Sequence, residues 1–201
     1  MLNKTNVFFL LLLIFICSFS CSGQSDVVDG NGSNSDVPDL ENSKTAVVYF
    51  SVTTNTGRVA NCISTYLSVP LVEIVPKEKY TGDDINYNDS NSRASRENAD
   101  SSIRPEIENA IDVDGYDNII LCYPIWFGKA PKILWTFAEN TSFDNKTIIP
   151  VCTSASSEAG SSAVDLHNLT GKGTWIDAKR FQSSVSDNSV IEYIDSLRLK
   201  K

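Results

Sequence analysis

From Lys44 onward the sequence predicts an α/β domain, a parallel sheet of five strands with helices on both faces. Three observations carry this. Short apolar runs alternate with segments of helical periodicity along the whole stretch. Two of the runs, Ile119-Ile120-Leu121-Cys122 and Ile148-Ile149-Pro150-Val151, are continuously apolar, as strands covered on both faces are. The first run also feeds a hydroxyl-rich turn straight into a helix pattern. Such alternation implies right-handed crossovers between parallel strands.

The first strand is Ala46–Phe50, followed by a helix at Gly57–Leu67 with Val59, Ile63, Tyr66 and Leu67 on one face. Leu71–Val75 is the second strand, and a helix at Ile103–Ile111 leads to the third, Asn118–Tyr123. Pro131–Glu139 is the next helix and Thr147–Thr153 the fourth strand. Pro150 has no amide donor, so that strand is expected to be irregular at its end. A helix at Ser161–Leu166, a fifth strand at Thr174–Phe181 and a helix at Asn188–Leu199 complete the order. Val190, Ile194 and Leu197 give the last helix its apolar face.

The segment before Lys44 has a different composition. Lys4 precedes an apolar run of about ten residues, Val7 to Ile16, which is the length of a signal-peptide core and short of the roughly 20 residues of a bilayer span. Ser18-Phe19-Ser20-Cys21 then resembles a bacterial lipoprotein box, which implies lipidation of Cys21. An uncleaved anchor or ordinary secretory cleavage are the alternatives. Residues 22–43 carry Asp26, Asp29, Asp36, Asp39 and Glu41 without a basic residue, and are rich in Ser, Asn and Gly. Such a stretch cannot bury enough apolar surface to offset chain entropy, so it reads as a disordered acidic spacer. The organisation is therefore 1–21 export signal, 22–43 spacer and 44–201 one folded domain. The chain carries 17 Lys+Arg against 25 Asp+Glu, a net charge of −8, and that balance excludes nucleic acid as a partner.

In parallel α/β sheets, ligands sit beyond the carboxyl ends of the strands. That places three loops together. Ser51, Thr53, Thr54, Asn55, Thr56 and Gly57 form a turn that enters a helix, where free amides and the helix dipole favour an anion. Ordinary capping is the alternative for such residues. No lysine of the Gly-Lys-Ser/Thr type is present, so a triphosphate loop is not indicated. Pro124, Ile125, Trp126, Phe127 and Gly128 set two large aromatics beside a glycine at the sheet edge. A planar ligand is one reason for them, and packing on the next helix is the other, expected of one of the two. Thr153, Ser154 and the small polar residues to Gly160 suit close backbone approach, or are simply a flexible loop.

Tyr49-Phe-Ser-Val-Thr-Thr-Asn-Thr56, Tyr123-Pro-Ile-Trp-Phe-Gly128 and Cys152-Thr-Ser stand in the order in which they occur in the flavodoxin family. The chain resembles that family, in its short, exported flavodoxin-like branch, over nearly all of residues 44–199. Asn86-Tyr87-Asn88, Ser92-Arg93 and Arg104-Pro-Glu-Ile107 add to the resemblance. It implies strand order 2-1-3-4-5 and non-covalent FMN. The phosphate would lie on Ser51, Thr53, Asn55, Thr56 and the amides of Thr54 to Gly57. Residues Pro124 to Gly128 would line one side of the isoalloxazine, with Thr153, Ser154 and the backbone to Gly160 on the other side or at the ribityl chain. The Trp126–Gly128 turn would present a backbone carbonyl to flavin N5–H in the one-electron-reduced state.

Thr54 stands where the family usually has glycine, and Ser156, Ser157 and Glu158 where the branch favours glycines. Were Thr54 to need positive φ, it would be strained and FMN binding weakened. The implied activity is electron transfer, or a small quinone or NAD(P)H reductase, tethered to the membrane outside the cytoplasm. With no dinucleotide fingerprint, a nicotinamide would bind only transiently over the flavin. The competing class is a non-redox surface lipoprotein that keeps the fold as a binding module.

The remaining reactive residues are assigned bland roles. Cys62, Cys122 and Cys152 read as buried free thiols rather than metal ligands, being widely spaced without a partner histidine. His167, the sole histidine, reads as a loop residue without a catalytic role, and Asp83-Asp84 as a solvated turn.

Overall fold

The apolar runs pair as a parallel sheet in the computed structural model, which describes residues 43–199. The residues read as an export signal, Cys21 and nearly all of those read as an acidic spacer lie outside the described residues. The strands are β1 (Thr45–Tyr49), β2 (Leu71–Glu73), β3 (Asn118–Pro124), β4 (Thr147–Ser154), β5 (Thr174–Trp175) and β6 (Lys179–Gln182). The order is β2-β1-β3-β4-β5, with β6 also pairing β4, and every pairing is parallel. The helices are α1 (Thr54–Leu67), α2 (Arg93–Ala99), α3 (Lys132–Glu139), α4 (Ser162–Thr170) and α5 (Asp187–Ser196).

Strand alternation sorts the central side chains into two cores. Val48, Phe50, Leu121, Tyr123 and Ile148 meet Ile133, Leu134 and Phe137 of α3 and Leu166 of α4. Val47, Ile120, Ile149 and Val151 meet Val59, Ile63 and Leu67 of α1 and Val190 and Ile194 of α5. This is the three-layer, doubly wound arrangement that the sequence predicts. Among the described residues, no helix is long and apolar enough to cross a membrane.

Two predicted elements are corrected. The fifth strand is not continuous over Thr174–Phe181, but broken between Trp175 and Lys179. Pro150 explains the position of the break. Thr174 and Ile176 donate their amides to the carbonyls of Lys146 and Ile148, so the even-numbered residues of β4 turn their backbone toward the fifth strand. Pro150 is next in that series and has no N–H to offer. Pairing resumes at Val151↔Lys179.

The other correction concerns Ile103–Ile111, which forms no helix. Pro105 disfavours helical backbone at Arg104, and the edge of β2 offers unpaired groups instead. The segment runs beside that edge: Lys77 N donates to Glu106 O (2.9 Å), Glu108 N to Val75 O (2.8 Å), and Ile107 bridges to Pro76. Asn109 seals the strip, accepting from Val75 N at 2.9 Å and donating to Glu73 O at 2.8 Å. The crossover helix is α2, ten residues earlier than predicted. Ser92 caps it by accepting from Ser95 N.

Candidate functional site at the carboxyl ends of the strands

The turn after β1 is held by its own hydroxyls. Ser51 Oγ accepts from Gly57 N at 3.2 Å and donates to the Thr53 carbonyl. Thr56, fully buried, shares a 2.7 Å hydrogen bond with the Thr153 hydroxyl at the end of β4. Helix α1 begins at Thr54 rather than Gly57, and Thr53 at its N-cap makes no side-chain capping bond. No acidic residue stands in the first turn. Thr53 and Thr54 are exposed and Asn55 half-buried. The turn therefore presents neutral donors around the positive end of a helix dipole. Arg58 does not face this turn: it pairs with Asp187 at 2.5 Å and donates to Val185 O at 2.6 Å, which ties α1 to the start of α5.

The expected strain at Thr54 is absent. Among the described non-glycine residues, positive φ occurs at Ser68, Phe127, Asn145 and Arg198. Thr54 is an ordinary first residue of a helix, where a β-branched side chain costs little.

The turn after β3 separates the two predicted aromatics. Trp126 and Lys129 exchange backbone hydrogen bonds of 2.9 Å in both directions. Phe127 (φ 50°) and Gly128 (φ 74°) make the tight turn between them, with positive φ at both central positions. Trp126 is buried and meets Phe50 and Tyr80 edge to face at 5.6 and 5.2 Å. Ile125 is buried beside it, and Pro124 is half-buried. Phe127 turns outward and is 38% exposed. Of the two aromatics, the tryptophan thus supports the loop and the phenylalanine offers a face.

The loop after β4 abuts this turn. A Cβ on Gly160, which has φ +54°, would lie 3.1 Å from the Gly128 carbonyl oxygen, so both conformation and contact require glycine there. Ile125 N donates to Thr153 O at 2.9 Å. Ser154 donates to the Ser157 carbonyl, and Arg180 of β6 reaches its Oγ and carbonyl at 3.2 and 3.3 Å. Glu158 is exposed. The contacts Thr56–Thr153 and Gly128–Gly160 bring all three predicted loops to one end of the sheet.

Two aromatic residues and one arginine that no local pattern assigns to a ligand site also stand at this end of the sheet. Tyr87, half-exposed, meets Phe127 edge to face at 5.0 Å, and Tyr80 backs Trp126. Arg180 braces the third loop. Asn86-Tyr87-Asn88 stood out as a segment, but nothing in it tells which loop the ring reaches.

Of the other candidate residues, Cys122 and Cys152 are buried, and burial pushes both thiols up, Cys152 to about 12. His167 is corrected from a loop to α4, where it stacks on Trp175 at 5.8 Å. Asp84 accepts from the amide and hydroxyl of Thr81, which holds its carboxyl below the usual range.

The sequence pattern of the family described as Flavodoxin matches residues 44–197. Among solved structures, a protein classed as a flavoprotein from Bacteroides eggerthii is 32% identical with a TM-score of 0.72, covering 79% of this chain and 100% of that one. Another so classed, from Bacteroides uniformis, is 34% identical with a TM-score of 0.71, over 76% and 97%. A flavoprotein from Lactobacillus acidophilus, solved in complex with FMN, is 19% identical with a TM-score of 0.57, over 75% and 97%. At that identity the likeness is one of fold. No curated protein matches the chain.

Proposed function

The chain belongs to the flavodoxin family, and we propose on that basis that it binds FMN non-covalently and transfers electrons outside the cytoplasmic membrane. The observation that carries this reading is the convergence at one sheet end of an uncapped α1 and an exposed aromatic face. Thr53, Thr54, Asn55 and the first amides of α1 would hold the phosphate. Ser51 and Thr56 would act indirectly, by holding the turn through their bonds to Gly57 and Thr153. Phe127 would stack on the isoalloxazine, with Gly128 and Gly160 admitting close backbone approach. FMN would supply the redox chemistry, and the protein the binding, orientation and exclusion of water.

The same reading makes the protein an electron carrier or a small quinone or NAD(P)H reductase, with a redox protein or small molecule as partner. Lipidation of Cys21 and the acidic spacer would hold the domain off the outer membrane face. A non-redox binding module is the competing reading. It drew on strain at Thr54 and on Glu158; the first is absent and the second side chain is exposed.

The test is a visible absorption spectrum of the purified protein before and after adding FMN. Flavin bands that stay with the protein through gel filtration are expected. A colourless protein that leaves the fluorescence of added FMN unquenched would sink the electron-transfer reading and leave the binding module.

A further inference from the structure

Arg180 is half-buried in β6, at the register position of Cys152. Register partners in a parallel pair share a face, so its side chain lies with Cys152 on the α3–α4 side of the sheet, while Phe181 packs on the α1–α5 side. From there the guanidinium donates to both oxygens of Ser154, from Nε to Oγ at 3.2 Å and to the carbonyl at 3.3 Å. Ser154 Oγ passes the contact on to the Ser157 carbonyl. The cation is thereby fixed at the first residue of the loop that runs to Gly160. It is not placed to hold a phosphate at the turn after β1, because Thr153, which bonds to Thr56 there, points to the opposite face from Ser154.

The charge of Arg180 is not balanced locally. Arg58, Arg93 and Arg104 each meet a carboxylate at 2.5 to 2.7 Å. No carboxylate stands within ion-pair distance of Arg180 among the described residues. Glu158, the acid of the third loop, is exposed. At the Cys152 thiol the two act in opposite senses, Arg180 the more strongly. Taking a guanidinium partly out of water is costly, and two neutral oxygens offset that cost only in part.

We propose, on the basis of the FMN reading above, that Arg180 is a positioning residue for the reduced cofactor, its charge under the third loop favouring the flavin that has gained a negative charge. A flavin reduced by one electron together with a proton keeps its charge. The second electron, passing from the redox protein or small-molecule donor without a proton, oxidises the donor and leaves the ring more negative by one charge. Arg180 bears on that second step and raises its potential. A unit positive charge several ångströms away, at the effective dielectric near a protein surface, favours the charged form about tenfold.

Stepwise dithionite reduction of the FMN-loaded protein at about pH 8, against reference dyes, tests this through the two one-electron potentials. Arg180→Gln keeps a donor for Ser154 and loses the charge. It lowers the second potential by about 59 mV, a tenfold loss, and leaves the first potential and the affinity for oxidised FMN unchanged. If the two electrons arrive in one step, the midpoint falls by about 30 mV instead. Arg180→Lys keeps the charge and the wild-type potential. Should Arg180→Gln fail to fold, Arg180→Lys decides: a potential lowered by as much would show that the fork on Ser154 matters and the charge does not. A second potential unchanged in Arg180→Gln, or an equal fall in both steps, would overturn the proposal and leave Arg180 as a brace for the loop. A protein that takes up no flavin at all fails the FMN reading itself, a result distinct from these.

Discussion

Glu97→Ala should be the most destabilising single change near the candidate site, because this buried carboxylate joins α2 to the loop that carries Phe127. Glu97 is 4% exposed. Its oxygens accept the Tyr80 hydroxyl at 3.0 and 2.8 Å and Arg93 Nε at 2.7 Å. The Arg93 guanidinium lies 3.8 Å over the Tyr80 ring, which in turn meets Trp126. Removing one member of a buried ion pair costs roughly 3–5 kcal/mol. Arg93 would not be orphaned, since it keeps the Glu78 carbonyl at 2.7 Å, so the low end applies: about 3 kcal/mol. Tyr80, nine-tenths buried, would lose its acceptor, and that is part of the cost. Glu97→Gln retains an acceptor for Tyr80 and should cost only about 1.5 kcal/mol. Urea unfolding should show a lower midpoint at unchanged slope, and FMN affinity should fall as the Trp126 turn loosens. A loss below about 1 kcal/mol for Glu97→Ala, with Tyr80→Phe costing the same in either background, would refute the coupling.

Phe127→Ala should weaken FMN by roughly tenfold or more, the value of one stacking contact, with little effect on stability; isothermal titration and thermal melts separate the two. Gly160→Ala meets both an αL backbone and the Gly128 carbonyl, and should cost about 1–2 kcal/mol in chemical denaturation. Thr54→Gly should not tighten FMN, because no strain at Thr54 exists to relieve; a tighter site in titration would contradict the helix start at Thr54. Stability should fall as pH rises. Burial raises Cys152 and Tyr193 to about 12 and Cys122 and Tyr80 higher still, so the native state resists ionisation that the unfolded chain undergoes near pH ~8.5 for thiols and ~10 for tyrosines. The contribution is complete below those values and is lost above them, by about 2 kcal/mol per thiol at pH 10. Urea midpoints from pH 7 to 10 measure it, and a Cys122→Ala/Cys152→Ala variant should flatten the slope.

Where one face or stripe of an element carries an uninterrupted pattern, the sequence is enough to place it. Ile119 to Cys122 and Ile148 to Val151 are apolar because both sheet faces are covered, and their loops follow from strand direction alone. Pro150 also predicted trouble in the right place, but with the wrong bearer. The missing amide disturbs the neighbouring strand while β4 itself stays intact, since its odd-numbered residues pair with β3 regardless. A period-2 pattern tells which face a side chain takes, not which neighbour an amide addresses.

The region between β2 and β3 resisted reading for a related reason. Helix α2 is seven residues, Arg93 to Ala99, and buries only Ala94 and Glu97. Its inward face is therefore a charged residue, invisible to any search for apolar periodicity. The more apolar Ile103, Ile107 and Ile111 mimic a helix stripe, yet serve an extended strip whose hydrogen bonds go to the edge of β2. The cost of burying Glu97 is offset by Tyr80 and Arg93, which are distant or unremarkable until the fold brings them together. That same polar cluster supports Trp126, so the outward placement of Phe127 depends on contacts that no local pattern encodes. The loops that would take the phosphate are legible because they are made of backbone and short hydroxyls in one stretch. The aromatic wall is not, because it is assembled from three separate segments around a buried charge.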